Sequence, residues 1–457
     1  MTQYRIEKDS MGEIKVPTQA LYQAQTQRAL DNFQFAGRPL PISFHHAILE
    51  IKSAAARANL RLGKLDNAKT EAILSAVDLL LTGKHDDQFC VDIYQTGSGT
   101  SSNMNVNEVI ATVANRQAAV KVHANDDVNC SQSSNDVIPS ALQLSAAKLL
   151  NKKLLPALYA MEKILRSKAK SLKEVIKTGR THLMDAMPIT LQQEIECWIW
   201  QLNENRVRLE HSIEELCELP IGGTAVGTGV NCPPEFDHQV CEHLAQVTGL
   251  PVVPCLNKFS RIASQDVSVN LSGQLNTLAV TVMKIANDLR WMNSGPLAGL
   301  SEVRLQPLQP GSSIMPGKVN PVIPEALAMI GAKVMGNHQT ISLAGQSGNF
   351  QLNVMLPVMA ECLLESLNLL ANGLPALAEC IANFEVNHQQ LEVALSRNPI
   401  LVTALNEKVG YEQAAKIAKA AYEQGKPVIE VAKQMTDLDE EKLKALLDPS
   451  KLTNAQG

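Results

Sequence analysis

Four polar segments interrupt a sequence that is otherwise rich in leucine and alanine. They cover residues 96–105, 131–136, 179–182 and 311–321, and each carries hydroxyl or amide side chains in a loop that we expect to lead into a helix. Backbone N–H groups at a helix N-terminus, with Ser, Thr or Asn beside them, form a ready site for a carboxylate. One such segment alone is explained by helix capping. Four together predict a site for an anionic substrate.

The segment 311–321 is the most informative of the four. Its two glycines and Pro316 suit an irregular or mobile loop, while Lys318 and Asn320 supply a cation and a neutral donor two residues apart. An enzyme that removes a proton beside a carboxylate must stabilise the negative charge that spreads onto the carboxylate oxygens. Preformed donors aimed at such charge contribute about 3 kcal/mol each. The loop therefore indicates carbanion chemistry next to a carboxylate.

Long helices are predicted to position these segments. Aromatic residues make up only 4% of the chain, so a large core must consist of aliphatic side chains, which favours helix packing over β-sandwiches. Apolar residues recur at alternating spacings of three and four, a pattern typical of helical bundles. We therefore predict a mainly all-α fold, with long helices around residues 154–165, 195–216, 267–289, 321–345 and 363–381. Helices this long expose more apolar surface than one subunit can cover, which favours an oligomer.

The chain of 457 residues is too long for one compact core, and we predict three domains. Residues 1–132 form an N-terminal domain of short helices and loops, with a small hairpin between Arg5 and Val16. Residues 133–390 form the central helical bundle. Residues 391–457, where short amphipathic helices alternate with turns, form a small C-terminal helical domain.

Composition and motifs narrow the classes of function. The 41 basic and 46 acidic residues give a net charge of −5 without long runs of either sign, so we expect neither a nucleic-acid partner nor a membrane surface. The charged start and the absence of an apolar span predict a cytoplasmic protein. The nine cysteines include no C-x-x-C pair, and no G-x-G-x-x-G or P-loop motif occurs. We expect reduced thiols, no metal and no cofactor.

The loop sequence Gly-Ser-Ser-Ile-Met-Pro-Gly-Lys-Val-Asn-Pro at 311–321 resembles the loop shared by the fumarase/aspartase superfamily. The similarity covers essentially the whole chain, including residues 7–12, 24–28, 222–229 and 401–406. Within the superfamily the chain resembles the class II fumarases. This resemblance implies a three-domain subunit with a long five-helix bundle, a homotetramer with a twenty-helix core, and active sites built from several subunits. It also implies a small dicarboxylate substrate, with reversible hydration of fumarate to malate as the reaction.

The resemblance also implies roles for individual residues. Ser312 resembles the base that removes a proton from malate, stabilised as an alkoxide by loop N–H groups and Lys318. His182 resembles the residue that handles the water, oriented by Glu325. The implied substrate-binding residues are Ser98, Gly99, Thr100, Ser133, Ser134, Asn135, Thr181, Ser313, Lys318, Val319 and Asn320, with a second dicarboxylate-binding segment at His123, Ala124, Asn125 and Asp126.

Three alternatives share the same scaffold. Aspartases add ammonia instead of water and usually carry glutamine at the position of His182, although residues 321–325 resemble the aspartase version of that segment. Some relatives are non-catalytic structural proteins of the eye lens, but this chain keeps Ser312, His182 and Lys318. A lyase acting on a nucleotide is disfavoured by the close match in the loops for smaller substrates.

Overall fold

The computed structural model describes residues 3–453, and helices dominate them, which confirms the predicted fold class. The α-helices are α1 (Ala24–Asn32), α2 (Ile42–Arg61), α3 (Asn67–Leu80), α4 (Thr100–Gln117), α5 (Ser134–Leu149), α6 (Leu155–Ser171), α7 (Leu191–Leu216), α8 (Phe236–Thr248), α9 (Lys258–Ala263), α10 (Asp266–Met292), α11 (Val322–Gly345), α12 (Leu356–Asn383), α13 (His388–Arg397), α14 (Asn406–Val409), α15 (Tyr411–Gln424), α16 (Val428–Met435) and α17 (Glu440–Leu446). Single π-helical turns cover Ala124–Val128 and Leu150–Leu154, and 3-10 turns cover Asp86–Gln88, Pro399–Leu405 and Pro449–Leu452.

The strands are short, and those in the described residues pair only two at a time. They are β1 (Tyr4–Asp9), β2 (Gly12–Pro17), β3 (Ile176–Thr181), β4 (Met184–Thr190), β5 (Glu218–Leu219), β6 (Val253–Pro254), β7 (Val303–Arg304), β8 (Gly348–Asn349), β9 (Leu352–Asn353) and β10 (Glu385–Val386). β1–β2, β3–β4 and β8–β9 are antiparallel hairpins, β7 pairs antiparallel with β10, and β5 pairs parallel with β6. The β1–β2 hairpin confirms the prediction for Arg5 to Val16.

The five predicted long helices are present as α6, α7, α10, α11 and α12. Their apolar spacing buries one continuous stripe per helix, as expected when one face packs against other elements. On α10 this stripe consists of Val267, Leu271, Leu275, Leu278, Val282, Ile285 and Leu289, all of them buried. α6 follows α5 through the π-helical turn, so its helical path begins earlier than the periodicity at Leu154 indicated. The packing of the five helices as one bundle stays a prediction.

Contacts within the chain define two compact units. The first unit comprises residues 1–156, 205–279 and 330–372. In it, α2 packs against α5, α8 and α3, and α4 packs against α1 and α3. α2 and α4 have 20 and 18 residues, so the N-terminal region holds longer helices than predicted. The alanines of α2 allow close approach, because Ala47, Ala54, Ala55 and Ala58 are all buried.

The second unit comprises residues 157–204, 280–329 and 373–457. In it, the β3–β4 hairpin packs against α13 and against the 3-10 turn at Pro399–Leu405. The side chain of Asn398 fixes the hairpin by donating from Nδ2 to the carbonyl of Ala186 at 2.8 Å. The short C-terminal helices were predicted, and they enclose a local core of Leu401, Val402, Leu405, Ala414, Ile417, Ala421, Val428, Val431, Ala432, Leu443 and Leu447. The three-domain division stays a prediction.

All nine cysteines are free thiols. Cys197 on α7 is exposed, whereas Cys217, Cys241, Cys255 and Cys362 are buried. Among residues 3–453, no helix is both long enough and apolar enough to cross a membrane.

Candidate active site

In the first unit, the segment around Gly97 lies directly against the start of α12. Gly97 accepts a hydrogen bond from the backbone N–H of Leu356 at 3.0 Å. A Cβ atom on Gly97 would lie only 1.8 Å from the carbonyl oxygen of Val354, so only glycine fits this approach. Next to it, the hydroxyls of Ser98 and Thr100 are 2.9 Å apart. The segment thus presents a hydroxyl pair on a backbone that is fixed at Gly97.

The predicted helix start at α4 is confirmed, and it lies beside α5. Gly99 precedes α4 with a left-handed backbone (φ 73°) and provides no side-chain cap. A Cβ atom on Gly99 would lie 2.9 Å from Ile138 of α5. Asn103 of α4 donates to the Ser134 hydroxyl at 3.0 Å. The hydroxyl-bearing ends of the two helices are therefore neighbours.

Ser133 caps α5 in a capping box with Asp136. The Ser133 hydroxyl accepts from the N–H of Asn135 at 3.2 Å, and the Ser133 N–H donates to Asp136 at 3.0 Å. The helix-capping explanation therefore holds for Ser133. The side chain of Asn135 donates to the Ala225 carbonyl at 2.8 Å, which links the segment to the loop at 222–229.

Asp136 fixes the loop at 222–229 through hydrogen bonds. Its Oδ2 atom accepts from the N–H groups of Gly222 at 3.0 Å and Thr224 at 2.8 Å. Burial raises the pKa of Asp136 to about 6, although the backbone donors from Ser133, Thr224 and Gly222 and the charge of Lys52 oppose the shift. One carboxylate thus fixes both the start of α5 and the glycine-rich loop.

A polar cluster around Asn129, which includes the buried residues Lys52, Asn103 and Asn107, was not predicted from the sequence. Asn129 Oδ1 accepts from Lys52 Nζ at 2.9 Å, Asn103 Nδ2 at 3.1 Å and Asn107 Nδ2 at 3.2 Å. Burial lowers the pKa of Lys52 to about 7, opposed by the charge of Asp136. Two features of the sequence could have indicated this cluster: Lys52 lies in an apolar helix, and α4 carries two asparagines four residues apart. Buried polar groups require hydrogen-bond partners, so these residues could have been expected to pair.

The segment predicted to bind a second dicarboxylate forms the first π-helical turn. His123 Nδ1 accepts from the N–H of Asp126 at 3.2 Å, and the His123 N–H donates to Asp127 at 2.8 Å. Lys69 Nζ lies 2.8 Å from Asp127. His123, Asn125 and Asp126 are exposed, whereas Ala124 is buried. Lys69, Lys121 and His123 share a surface cavity with Asp126 and Asp127.

In the second unit, the loop at 311–321 closes on itself and leads into α11 as predicted. Gly311 donates to the Lys318 carbonyl at 2.8 Å, and Asn320 Nδ2 donates to the Gly311 carbonyl at 2.7 Å. The Ser312 hydroxyl accepts from the N–H groups of Ile314 at 3.2 Å and Met315 at 3.1 Å. Two backbone donors therefore face the oxygen that would carry charge.

Lys318 donates to Asn320 Oδ1 and does not contact Ser312. Within the described residues, Lys318 therefore makes no direct contact that would provide the expected stabilisation of a Ser312 alkoxide. Lys318, Val319, Asn320 and Glu325 line a cavity of about 1030 Å³. Arg290 and Arg304 line the same cavity. Neither was predicted from the sequence, because both lie outside the four polar segments.

His182 lies in a strained hairpin turn, which corrects the expectation that residues 179–182 lead directly into a long helix. Thr181 pairs with Met184, so the connection between β3 and β4 is the dipeptide His182-Leu183. β4 then separates the motif from α7. His182 and Leu183 have φ values of 56° and 61°. For L-residues this left-handed region costs about 1–2 kcal/mol each.

Thr181 and His182 are exposed, and no hydrogen bond or ion pair joins His182 to Glu325 within residues 3–453. Each unit therefore holds part of the predicted site. The first brings together residues 98–100 and 133–135. The second carries the His182 turn and the cavity with Lys318, Asn320 and Glu325.

Comparison with known proteins places this architecture in a family. The family model described as "Lyase" matches residues 12–336, and the one described as "Fumarase C C-terminus" matches residues 401–454. The chain is 56% identical to a protein named fumarate hydratase class II 2 from Pseudomonas aeruginosa, over 99% of each chain. It is 53% identical to a fumarate hydratase class II from Xylella fastidiosa, over 98% of this chain and 95% of that protein.

A solved structure extends the likeness to three dimensions. The crystal structure of a class II fumarase from Schistosoma mansoni matches with a TM-score of 0.95 and 37% identity, covering 99% of each chain. The chain belongs to the class II fumarase family of the fumarase/aspartase superfamily.

Proposed function

We propose that this protein is a fumarate hydratase, a lyase that reversibly adds water to fumarate to give (S)-malate. The observation that carries this proposal is the 56% identity, over 99% of each chain, to a relative named fumarate hydratase class II 2. The chain also has the hydroxyl, amide and cationic groups that a small dicarboxylate requires. Arg290, Arg304 and Lys318 around one cavity would attract a dianion.

In the direction from malate to fumarate, Ser312 acts as the base. Its alkoxide takes the C3 proton, and the electron pair left on C3 spreads into the adjacent carboxylate. The N–H groups of Ile314 and Met315, which already face the Ser312 oxygen, lower the cost of the alkoxide. Lys318 and Asn320 bind the carboxylate on which charge accumulates.

In the second step the carbanion expels the C2 hydroxyl. The C3 electron pair forms the double bond, the C2–O bond breaks, and the hydroxyl leaves as water with a proton from His182. Glu325 would orient His182 and keep it basic. The remaining ligands of the two substrate carboxylates and the water would be Ser98, Gly99, Thr100, Ser133, Ser134, Asn135, Thr181, Ser313 and Val319, with residues 123–126 as a second dicarboxylate-binding segment.

The same proposal includes a homotetramer with shared active sites. Glu325 and His182 do not contact each other within residues 3–453, and we expect Glu325 of another subunit to pair with His182. Large apolar side chains also remain exposed on the long helices, among them Trp200 at 66% and Met329 at 68% exposure. Such surface is unusual for a monomer and suits association between copies of the chain.

A spectrophotometric assay tests the reaction. Protein treated with chelator should interconvert malate and fumarate with water alone. It should show no ammonia-dependent consumption of fumarate and no release of fumarate from aspartate. Ammonia-dependent activity would identify an aspartase, and inactivity with every substrate would support the structural alternative. Loss of activity on chelation would contradict the expectation that no metal is needed.

A further inference from the structure

The turn that carries His182 adopts a backbone conformation that its own residues disfavour. Positive φ at both central residues of a two-residue hairpin is the pattern of a type I′ turn, which strongly prefers Asn and Gly. Here the two positions hold His182 and Leu183, with φ values of 56° and 61°. The left-handed region is disfavoured about 5- to 30-fold for each such residue. Contacts outside the turn must therefore hold it in place.

The strand that leads into the turn takes part in a charge cluster formed by Lys177, Arg180, Glu194 and Glu302, of which Lys177 and Glu302 are buried and the other two half-buried. The guanidinium of Arg180 donates to both oxygens of Glu302, at 2.6 and 2.7 Å. Lys177 Nζ lies 2.8 Å from Glu302 Oε2 and donates to Glu194 at 2.8 Å. Both cations belong to β3, the strand that ends one residue before His182.

Glu302 is a rigid anchor for this cluster. Its side chain is 5% exposed, and that of Lys177 is 2% exposed. Its backbone is tied on both sides, because its N–H donates to Met292 at 2.8 Å and its carbonyl accepts from Asn387 at 3.0 Å. Burial alone raises the pKa of Glu302, but hydrogen bonds from Arg180 and the charge of Lys177 outweigh it and lower the pKa below its ordinary value. The anchor therefore stays ionised.

A β-bulge lies between the two cations. Thr178 pairs with Pro188 and Arg180 with Asp185, so two residues of β4 lie opposite Gly179. A Cβ atom on Gly179 would lie 2.5 Å from the Met187 carbonyl oxygen, and the bulge therefore depends on glycine there. Bulges change the direction of neighbouring side chains and increase local twist. The bidentate bond to Glu302 fixes Arg180 immediately after this irregularity and two residues before His182.

We propose that Glu302 is a positioning residue for the reaction, which holds Arg180 and Lys177 beneath the β3–β4 turn and so keeps His182 in its left-handed conformation. This inference rests on the proposed role of His182 at the water side of the reaction. Glu302 acts through Arg180 and the backbone and does not contact substrate. Its loss should displace His182 without removing a substrate contact.

The test begins with Glu302→Gln, which keeps the shape but cannot accept from both guanidinium nitrogens and Lys177. We expect kcat to fall about 10- to 100-fold, since a displacement near 1 Å at a catalytic group has effects of this order. KM should change less than threefold, because no substrate ligand is removed. The matched control is Glu194→Gln, which removes a contact to Lys177 but leaves Arg180 bound to Glu302, and it should keep kcat within twofold.

A compensating variant separates positioning from general stability. Leu183→Gly removes the backbone penalty at one of the two central positions of the turn, so the turn depends less on the cluster. The double variant with Glu302→Gln should have a kcat at least threefold higher than Glu302→Gln alone. A merely structural Glu302 would lower the melting temperature and the folded fraction, with unchanged kcat per folded site and no recovery from Leu183→Gly.

Two results would contradict the positioning role of Glu302. A folded Glu302→Gln protein with kcat within twofold of wild type overturns it, and so does a double variant without recovery. If Glu302→Gln does not fold, Arg180→Lys replaces it, because lysine keeps the charge but loses the bidentate bond, and the same fall in kcat is expected. Wild-type protein inactive on fumarate and malate would contradict the proposed function itself, and this inference with it.

Discussion

Replacing Gly97 with alanine tests whether the segment at 96–100 is fixed against α12 and serves the substrate. The added Cβ would lie 1.8 Å from the Val354 carbonyl oxygen, while real Cβ contacts essentially never fall below 3.0 Å. The two backbones must therefore separate by at least 3.0 − 1.8 = 1.2 Å. Overpacking of this kind costs about 1–3 kcal/mol of stability. A shift near 1 Å beside Ser98 and Thr100 should lower kcat/KM about 100-fold.

Urea unfolding and initial rates of fumarate hydration measure the two effects separately. Gly63→Ala is the matched control, because Gly63 has φ +69° and open space around its missing Cβ. It should lose about 1–2 kcal/mol through backbone conformation alone and keep its kinetics. A Gly97→Ala protein with the unfolding midpoint and KM of wild type would refute the close approach. Equal destabilisation of both variants with normal kinetics would show that residues 96–100 do not serve the substrate.

Four further predictions address the chemistry and the buried polar groups. Ser312→Ala and His182→Asn should each lower kcat by about 10²–10⁴-fold without lowering the melting temperature, since Asn suits the left-handed turn at position 182. Near-normal turnover in either folded variant would remove its assigned role. An equal mixture of these two variants, unfolded and refolded together, should regain about a quarter of wild-type activity if each site takes the two residues from different subunits; mixed tetramers without activity would contradict shared sites. Burial lowers the pKa of His45 from 6.5 to about 4. The free energy of unfolding should therefore fall by up to roughly 3 kcal/mol as the pH drops from 6.5 to about 4, because the unfolded chain binds the proton more readily. Urea titrations of His45→Phe should lack this fall. Lys52→Met should destabilise the protein by about 1–3 kcal/mol because Asn129 loses one of its three donors. An unchanged urea midpoint would show that this hydrogen bond is dispensable.

Elements specified by local sequence were predictable. The alternating spacing of leucines on α10 depends only on helical geometry, so the helix could be placed before its neighbours were known. The loop at 311–321 was equally accessible, because glycine and proline exclude a regular element and Lys318 and Asn320 show the charge available. The starts of α4 and α5 followed from the polar segments that precede them, although only α5 has a side-chain cap, Ser133.

Features created by long-range contacts were not predictable. The β3–β4 turn was missed because His182-Leu183 has no Asn-Gly signal, and its conformation depends on Glu302, far away in the sequence. Likewise, Gly97 shows its steric role only when Val354 lies beside it. Lys52 was missed because its partner Asn129 belongs to another element. In each case the conformation or the partner is supplied by a residue distant along the chain.

The distribution of free thiols determines how the protein responds to electrophiles. Burial raises the pKa of Cys90, Cys362 and Cys380 to about 11 and that of Cys217 to about 12. At neutral pH only about one such thiol in ten thousand is ionised, and the thiolate is the reactive form. Cys197 is the exposed cysteine of the set. A maleimide dye at neutral pH should therefore label Cys197 on α7 before Cys90, Cys217, Cys362 and Cys380.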